Sequence, residues 1–138
     1  MGAFRELVLD AGARYRDCRL NNFRVSCSDQ FHAVERCAAF IGEIGDRIRH
    51  GQGLLLIGKV GTGKDHLAFA VARGAIVKGF SARWVDGQRW FARMRDRIQE
   101  GRSESEAIWE LLQPTLLVLS DPLPPVGELS QYEAGNLL

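Results

Sequence analysis

The feature that most constrains the fold is a short aliphatic segment that runs directly into a glycine-rich loop and then into a helical pattern. Residues 54–57 are all aliphatic, as in a strand covered on both faces of a parallel sheet. The loop that follows ends in Lys64, and apolar residues then keep helical spacing up to Gly79. This order predicts an α/β fold with a parallel sheet and a binding loop at the carboxyl edge of the first strand.

The loop has the residue types that a main-chain cradle for phosphate requires. Glycines allow several N–H groups to converge on one anion, the next helix points its N-terminus at that anion, and a lysine reaches the outer oxygens. The segment predicted to contact nucleotide consists of Gly58, Lys59, Val60, Gly61, Thr62, Gly63, Lys64, Asp65 and His66. Within it, Lys64 is the candidate for the β and γ phosphates. The alternative is a glycine turn without a ligand.

Two positions depart from the usual phosphate-loop chemistry. Asp65 stands where the pattern has Ser or Thr, next to the lysine. A third predicted strand, residues 115–119, ends in Ser120 and Asp121, although such strands normally end in two acidic residues. The hydroxyl and the carboxylate have therefore traded places between the two motifs.

The exchange has two interpretations. In one, Asp65 and Ser120 still hold Mg²⁺ with their roles exchanged, while Asp121 faces the attacking water. In the other, the two changes are independent losses in a protein that no longer hydrolyses ATP, because phosphoryl transfer tolerates little displacement of charged groups. A carboxylate at position 65 repels metal-free nucleotide in either case.

The rest of the chain alternates helical and extended patterns. We predict one long helix over residues 29–50, with Ser28 as N-cap and Gly51 as terminator, then a second strand over 81–86 and a helix over 88–100. A capping box at Ser103 begins a short helix that buries Ala107, Ile108, Leu111 and Leu112. A last helix is predicted after Ser130. Residues 1–27 are interpreted as a weakly patterned lead-in with a short helix near Leu7. Residues 28–138 are interpreted as one partial nucleotide-binding domain.

Composition excludes several classes of protein. Eighteen Lys and Arg against 17 Asp and Glu give a formal net charge of +1, so nucleic acid cannot be held by bulk charge alone. No apolar run approaches the ~20 residues that cross a bilayer, and no secretory signal is recognisable, so we expect no membrane and a cytoplasmic location. The three cysteines, Cys18, Cys27 and Cys37, have no disulfide or metal spacing and are expected to be reduced thiols.

Arginines and tryptophans in the second half have alternative explanations. Arg89, Arg93 and Arg97 repeat every four residues on one predicted helix. They form either a phosphate-contacting face or a solvated face paired with neighbouring acids. Trp84 and Trp90 could stack on bases, but their apolar neighbours favour core packing.

Taken together, these motifs resemble the DnaC/IstB group of AAA+ ATPases, which are helicase loaders and transposition helper ATPases. The resemblance covers about residues 14–138 and is most specific over 53–68. It implies a three-layer αβα P-loop fold of AAA+ type with a parallel sheet, incomplete after the Walker B strand. It also implies ATP and Mg²⁺ as cofactors, a Walker A loop at 58–65 and a Walker B end at Ser120 and Asp121.

The same resemblance implies partners and limits. The partners would be a replicative helicase or a transposase, single-stranded DNA, and further copies of the chain. Residues 15–23 would lie near the adenine, and the two helices between the second and third strands would face DNA. The family's sensor strand, arginine finger and second sensor have no counterparts here, so the strand from Leu54 would lose its ladder partners unless the first and third strands pair directly.

The resemblance leaves two functions open. The first is an ATP-binding protein of DNA replication or transposition, similar to helicase loaders, whose hydrolysis in isolation is not expected because the completing arginine comes from a neighbouring subunit. The second is a non-catalytic, degenerate module that docks on a helicase or a full-length relative.

Overall fold

The structure is a computed structural model that describes residues 2–122 of the chain. Its elements, in order, are α1 (Gly2–Ala11), 3-10 turns at Ala13–Tyr15 and Leu20–Asn22, α2 (Ser28–Gly42), α3 (Ile44–Arg49), α4 (Lys64–Val77), β1 (Ala82–Asp86), α5 (Gly87–Gln99), α6 (Glu104–Leu111) and β2 (Leu116–Ser120). The predicted helix after Ser130 lies outside the described residues.

The sheet consists of the second and third strands that the sequence predicts. β1 and β2 pair in parallel, with Ala82 opposite Leu116 and Asp86 opposite Ser120. Helices α5 and α6 form the crossover between them, as a parallel pair requires. Both strands therefore deliver their carboxyl ends to one edge, where Ser120 is located.

The strand predicted at residues 54–57 is wrong for this structure. No strand forms there among the described residues, and the exposed fractions of Leu55 and Ile57 are 78% and 86%. Direct pairing of this segment with β2 is not seen either, since the sheet within residues 2–122 consists of β1 and β2 alone. An aliphatic sequence becomes a strand only where a neighbour accepts its N–H and C=O groups, and no described strand offers that ladder.

The single long helix predicted over 29–50 is also wrong. Glu43 has φ −107° and ψ 18°, and it ends α2 and begins α3. Gly42 and Gly45 flank this break, and glycine is a poor helix former. The N-cap is Cys27 rather than Ser28, and Gln30 accepts the Ser26 N–H at 2.7 Å.

The core joins the N-terminal segment to the rest of the fold. Its most enclosed large side chains are Leu7 of α1, Phe69 of α4 and Ile44 of α3. Trp84 of β1 is 6% exposed and belongs to the same cluster, so the core position favoured for this tryptophan is confirmed. Helix α1 thus packs on the sheet as part of one core. The boundary predicted at residue 27 stays a prediction.

Helix α6 is less buried than its sequence predicts. Ala107 is buried, but the exposed fractions of Ile108 and Leu112 are 44% and 66%, so the expected burial of these two is wrong. The helix packs mainly against α5 and touches the sheet little, which leaves much of its apolar surface uncovered. Ser103 is the N-cap of α6, as predicted, since its hydroxyl accepts the Ser105 N–H at 3.2 Å, but the predicted capping box is not formed within residues 2–122, because Glu106 pairs with Arg97 instead. No helix among residues 2–122 is long and apolar enough to cross a bilayer.

Candidate functional site

The loop before α4 has a conformation that requires its glycines. Gly61 and Gly63 have φ of 79° and 92°, in the left-handed region that side chains disfavour. Gly63 is also the N-cap of α4, and a Cβ there would collide with the ring of Phe23. At Gly58 an added Cβ would lie 2.9 Å from Thr62 Oγ1. The backbone path, rather than a side chain, therefore shapes this loop.

The N–H groups of the loop are largely without protein acceptors. Thr62 donates to the Lys59 carbonyl over 3.4 Å, and Leu67 starts the helical ladder by donating to the Gly63 carbonyl at 3.1 Å. Within residues 2–122, the N–H groups of Gly61, Gly63 and Lys64 have no hydrogen-bond acceptor. Unsatisfied N–H groups at a helix N-terminus are the groups that bind phosphate.

Lys64 lies across the loop that precedes it. Its Nζ donates to the carbonyls of Gly58 at 2.7 Å and Lys59 at 2.8 Å. An ammonium group has three protons, so these two bonds leave one donor and the full positive charge. Lys64 is therefore held at the loop by neutral acceptors that do not cancel its attraction for an anion.

The structure brings Asp65 and Ser120 together. Ser120 Oγ donates to Asp65 Oδ1 at 2.9 Å, which ties the first turn of α4 to the carboxyl end of β2. Ser120 is only 9% exposed, so the bond is shielded from water. The two residues that carry the exchanged hydroxyl and carboxylate are thus direct partners across the loop.

A third residue, Tyr15, completes this cluster. Its hydroxyl donates to Asp65 Oδ2 at 3.0 Å. Burial raises the pKa of Tyr15 above its usual value, and the hydrogen bond and charge of Asp65 raise it further. The hydroxyl consequently stays protonated at neutral pH and acts as a donor. The resemblance implies that residues 15–23 lie near the adenine, which stays a prediction, and nothing in the sequence pattern links Tyr15 to Asp65.

Residues of the lead-in and of α2 contact the same loop. The Phe23 and His66 rings meet edge to face at 5.2 Å, and His66 Nε2 is 2.8 Å from the Arg19 carbonyl. Gln30 Nε2 donates to the Thr62 carbonyl at 3.3 Å. His66, which the sequence placed among the nucleotide contacts, is thus turned towards the lead-in.

Asp121 directly follows the Ser120 end of β2 and is exposed. It has φ 47° and is the one non-glycine residue with positive φ among residues 2–122. Its carbonyl approaches Gly87 so closely that a Cβ at Gly87 would collide with it. Strained residues of this kind concentrate at functional sites, and the geometry leaves the Asp121 carboxyl group open to solvent.

The arginines on α5 differ in their surroundings. Arg97 is 23% exposed and pairs with Glu106 at 3.5 Å and Glu110 at 3.9 Å on α6. Arg89 and Arg93 are exposed and line, with Arg97, an open cleft of about 730 Å³ beside β1. The alternative of pairing with acids therefore holds for Arg97, although its partners are on the next helix.

Comparison with known proteins matches the part of the chain that contains the loop, α4 and β2. Residues 36–138 match the family described as IstB-like ATP binding protein. The chain is 28% identical over 108 residues to the replicative helicase loader DnaC of Escherichia coli and to that of Shigella flexneri. The aligned part covers 78% of this chain but 43% of each relative. The matched family includes the loop, α4 and the β2 end, and the chain belongs to the IstB-like ATP binding proteins.

Proposed function

We propose that the chain binds ATP through residues 58–66, with the phosphates on the N-terminus of α4. The observation that carries the proposal is the group of N–H donors at Gly61, Gly63 and Lys64 that have no acceptor among residues 2–122. The positive end of the helix dipole and the Lys64 ammonium add attraction for an anion. In this arrangement the Lys64 side chain leaves the carbonyls that it now contacts and binds the β and γ phosphates.

We further propose that Asp65 and Ser120 are the protein ligands of Mg²⁺, in exchanged roles. Both offer hard oxygen atoms, which Mg²⁺ prefers. Ser120 uses its proton towards Asp65, so its oxygen lone pairs remain available. The bound ion would neutralise phosphate charge. Asp65 would otherwise repel the triphosphate, and this repulsion makes nucleotide binding dependent on the metal.

Hydrolysis depends on residues beyond this set. Asp121 follows Ser120 and is exposed, which suits a carboxylate that orients the attacking water. Stabilisation of the transition state by an arginine is a separate requirement of phosphoryl transfer. We therefore expect little turnover from the chain alone and more when a partner supplies that cation.

The biological process we propose is helicase loading in DNA replication or a helper role in transposition, in the cytoplasm. The support is the family together with the relatives, which are replicative helicase loaders. The partners would then be a replicative helicase or a transposase, single-stranded DNA, and further copies of this chain. The chain spans less than half the length of those relatives, so each of these partners needs a binding test of its own.

Calorimetry with a non-hydrolysable ATP analogue, with Mg²⁺ and then with a chelator, tests the binding proposal. We expect saturable binding with Mg²⁺, and at least a tenfold loss in Lys64→Ala. Arg49→Ala is a matched control, because it removes a positive charge from an exposed side chain on α3. The absence of saturable binding with Mg²⁺ would refute the proposal.

One set of contacts favours a second function, a non-catalytic docking module. Tyr15 and Ser120 already satisfy both oxygens of Asp65, and loop carbonyls already hold Lys64. A site whose polar side chains already have hydrogen-bond partners within the protein could persist without nucleotide. Co-purification of a helicase with both the wild type and Lys64→Ala, with no analogue binding in calorimetry, would favour this function.

A further inference from the structure

We propose that Tyr15 is a positioning residue for Asp65 and that the metal-dependent part of nucleotide affinity depends on the Tyr15 hydroxyl. The inference rests on the proposed function, because it concerns how Asp65 is presented to Mg²⁺. It assigns to the lead-in a role in metal binding, separate from any contact with the base. The argument starts from the geometry of one carboxylate.

Asp65 is fixed through both of its oxygens. Oδ1 accepts from Ser120 at 2.9 Å and Oδ2 accepts from Tyr15 at 3.0 Å. A carboxylate has about four lone-pair sites, so two hydrogen bonds leave capacity for a metal ion. Two donors on opposite oxygens also restrict rotation of the carboxyl group, which one donor alone would not do.

The Tyr15 hydroxyl is held by a rigid support. The ring stacks on Trp84 at 5.7 Å and on Phe69 at 6.2 Å between centroids. Phe69 is fully buried and Trp84 is 6% exposed, so both supporting rings belong to the core. A short 3-10 turn, Ala13–Tyr15, connects this tyrosine to α1.

Both donors to Asp65 are anchored to the same small sheet. Trp84, which supports the Tyr15 ring, lies on β1, and Ser120 ends β2 in parallel register with Asp86. The position of the carboxylate relative to the loop is therefore determined by the sheet rather than by the exposed loop itself. Tyr15 would therefore orient a metal ligand from outside the proposed coordination sphere, whereas Ser120 belongs to that sphere.

A purely structural role predicts a different result. Asp65 lies in the first turn of α4, where a carboxylate stabilises the helix by its position alone. If Tyr15 only supported the fold, loss of its hydroxyl would change nucleotide binding equally with and without metal. A positioning role predicts that only the measurement with metal changes.

The experiment uses Tyr15→Phe in the full chain and a non-hydrolysable ATP analogue, titrated with Mg²⁺ and with a chelator. Phenylalanine keeps the ring contacts with Trp84 and Phe69, and circular dichroism verifies the fold. We expect about tenfold weaker binding with Mg²⁺, which is the lower end of the usual loss in metal affinity when a residue that orients a metal ligand is removed. With the chelator, we expect no change in affinity beyond twofold. The control Ser81→Ala removes a hydroxyl that contacts Thr115, beyond the other end of the strands, and should change neither value.

A second background separates the inference from its alternatives. In Asp65→Thr the carboxylate is gone, so adding Tyr15→Phe should have no further effect on the Mg²⁺-dependent affinity. Equal losses in the two backgrounds, or equal losses with and without Mg²⁺, would overturn the positioning role and leave the proposed function intact. Failure of the wild type to bind the analogue would instead overturn the proposed function, and this inference with it.

Discussion

Replacement of Asp65 by asparagine tests the charge balance of the proposed site. The carboxylate directly follows Lys64 and faces Ser120 and Tyr15, both of which donate to it. Asparagine keeps an oxygen acceptor, and hydroxyl groups can accept from its amide, so the contacts survive while the charge is lost. The substitution thus isolates electrostatic repulsion from local structure.

The expected magnitude follows from Coulomb's law. Two unit charges about 4 Å apart interact by about 4 kcal/mol at an effective dielectric constant of ~20. The adjacent Lys64 ammonium and the solvent around the exposed loop reduce this value, and we take about half of it, about 2 kcal/mol. Removal of the charge should therefore tighten binding of the metal-free analogue by about 30-fold.

With Mg²⁺ the sign reverses. An amide oxygen is a weaker ligand for Mg²⁺ than a carboxylate, so we expect Asp65→Asn to weaken binding of the Mg²⁺-bound analogue by about tenfold. The affinity with Mg²⁺ divided by the metal-free affinity, both measured by calorimetry, should fall by about two orders of magnitude. Asp96→Asn is the matched control, because it removes one charge from an exposed position on α5. A metal-free affinity that stays within twofold of the wild type would show that Asp65 does not face the phosphates.

Three further predictions concern the loop, the arginines and Tyr15. Gly63→Ala should lower the unfolding temperature and weaken analogue binding more than Gly61→Ala does. Both glycines have positive φ, but a Cβ at Gly63 would collide with Phe23, whereas nothing lies within 4 Å of a Cβ added at Gly61. Equal effects of the two substitutions would contradict the clash. Arg97→Ala should destabilise the fold by about 1 kcal/mol in urea unfolding, because it breaks two ion pairs with α6. Arg93→Ala, at an exposed position, should leave stability unchanged and instead reduce the salt dependence of any DNA binding. The reverse pattern would refute this division of roles between the two arginines. The raised pKa of Tyr15 means that folding favours its protonated form, so its contribution to stability should be fully present below about pH 10 and lost as pH rises through the folded-state pKa. The wild type should therefore lose stability in that range relative to Tyr15→Phe. Parallel curves of stability against pH for the two proteins would contradict this prediction.

The parts of the fold that the sequence predicts correctly depend on neighbours along the chain. The helix from Lys64 to Val77 and the strand from Ala82 to Asp86 have their patterns and end signals within a few residues. The association of Asp65 with Ser120 could be inferred because two motifs had each lost what the other had gained. Comparison of the chemistry of two distant segments carried that inference, since neither segment predicts it alone.

Two of the errors, the strand at 54–57 and the burial of Ile108 and Leu112, share a different cause, which is dependence on partners that no local pattern reveals. Residues 54–57 have the composition of a buried strand, but no described strand pairs with them. Ile108 and Leu112 have helical spacing, yet their helix packs mainly on one neighbour. In each case the pattern identifies which side chains could be buried, while burial itself requires a second surface.

The lead-in illustrates the same dependence from the opposite side, because an unpatterned segment supplies much of the environment of the loop. Tyr15 contacts Asp65, Phe23 closes over Gly63, and the Arg19 carbonyl holds His66. None of these contacts repeats at a helical or strand period, so periodicity could not reveal them. Most residues before the loop are exposed, with Leu56 partly buried against the core, whereas those after it are anchored in α4, so the N-terminal segment and the helix together fix the loop. If nucleotide binds there, its effect on the protein should therefore spread first to the Tyr15, Phe69 and Trp84 rings, and intrinsic tryptophan fluorescence is the signal in which to seek it.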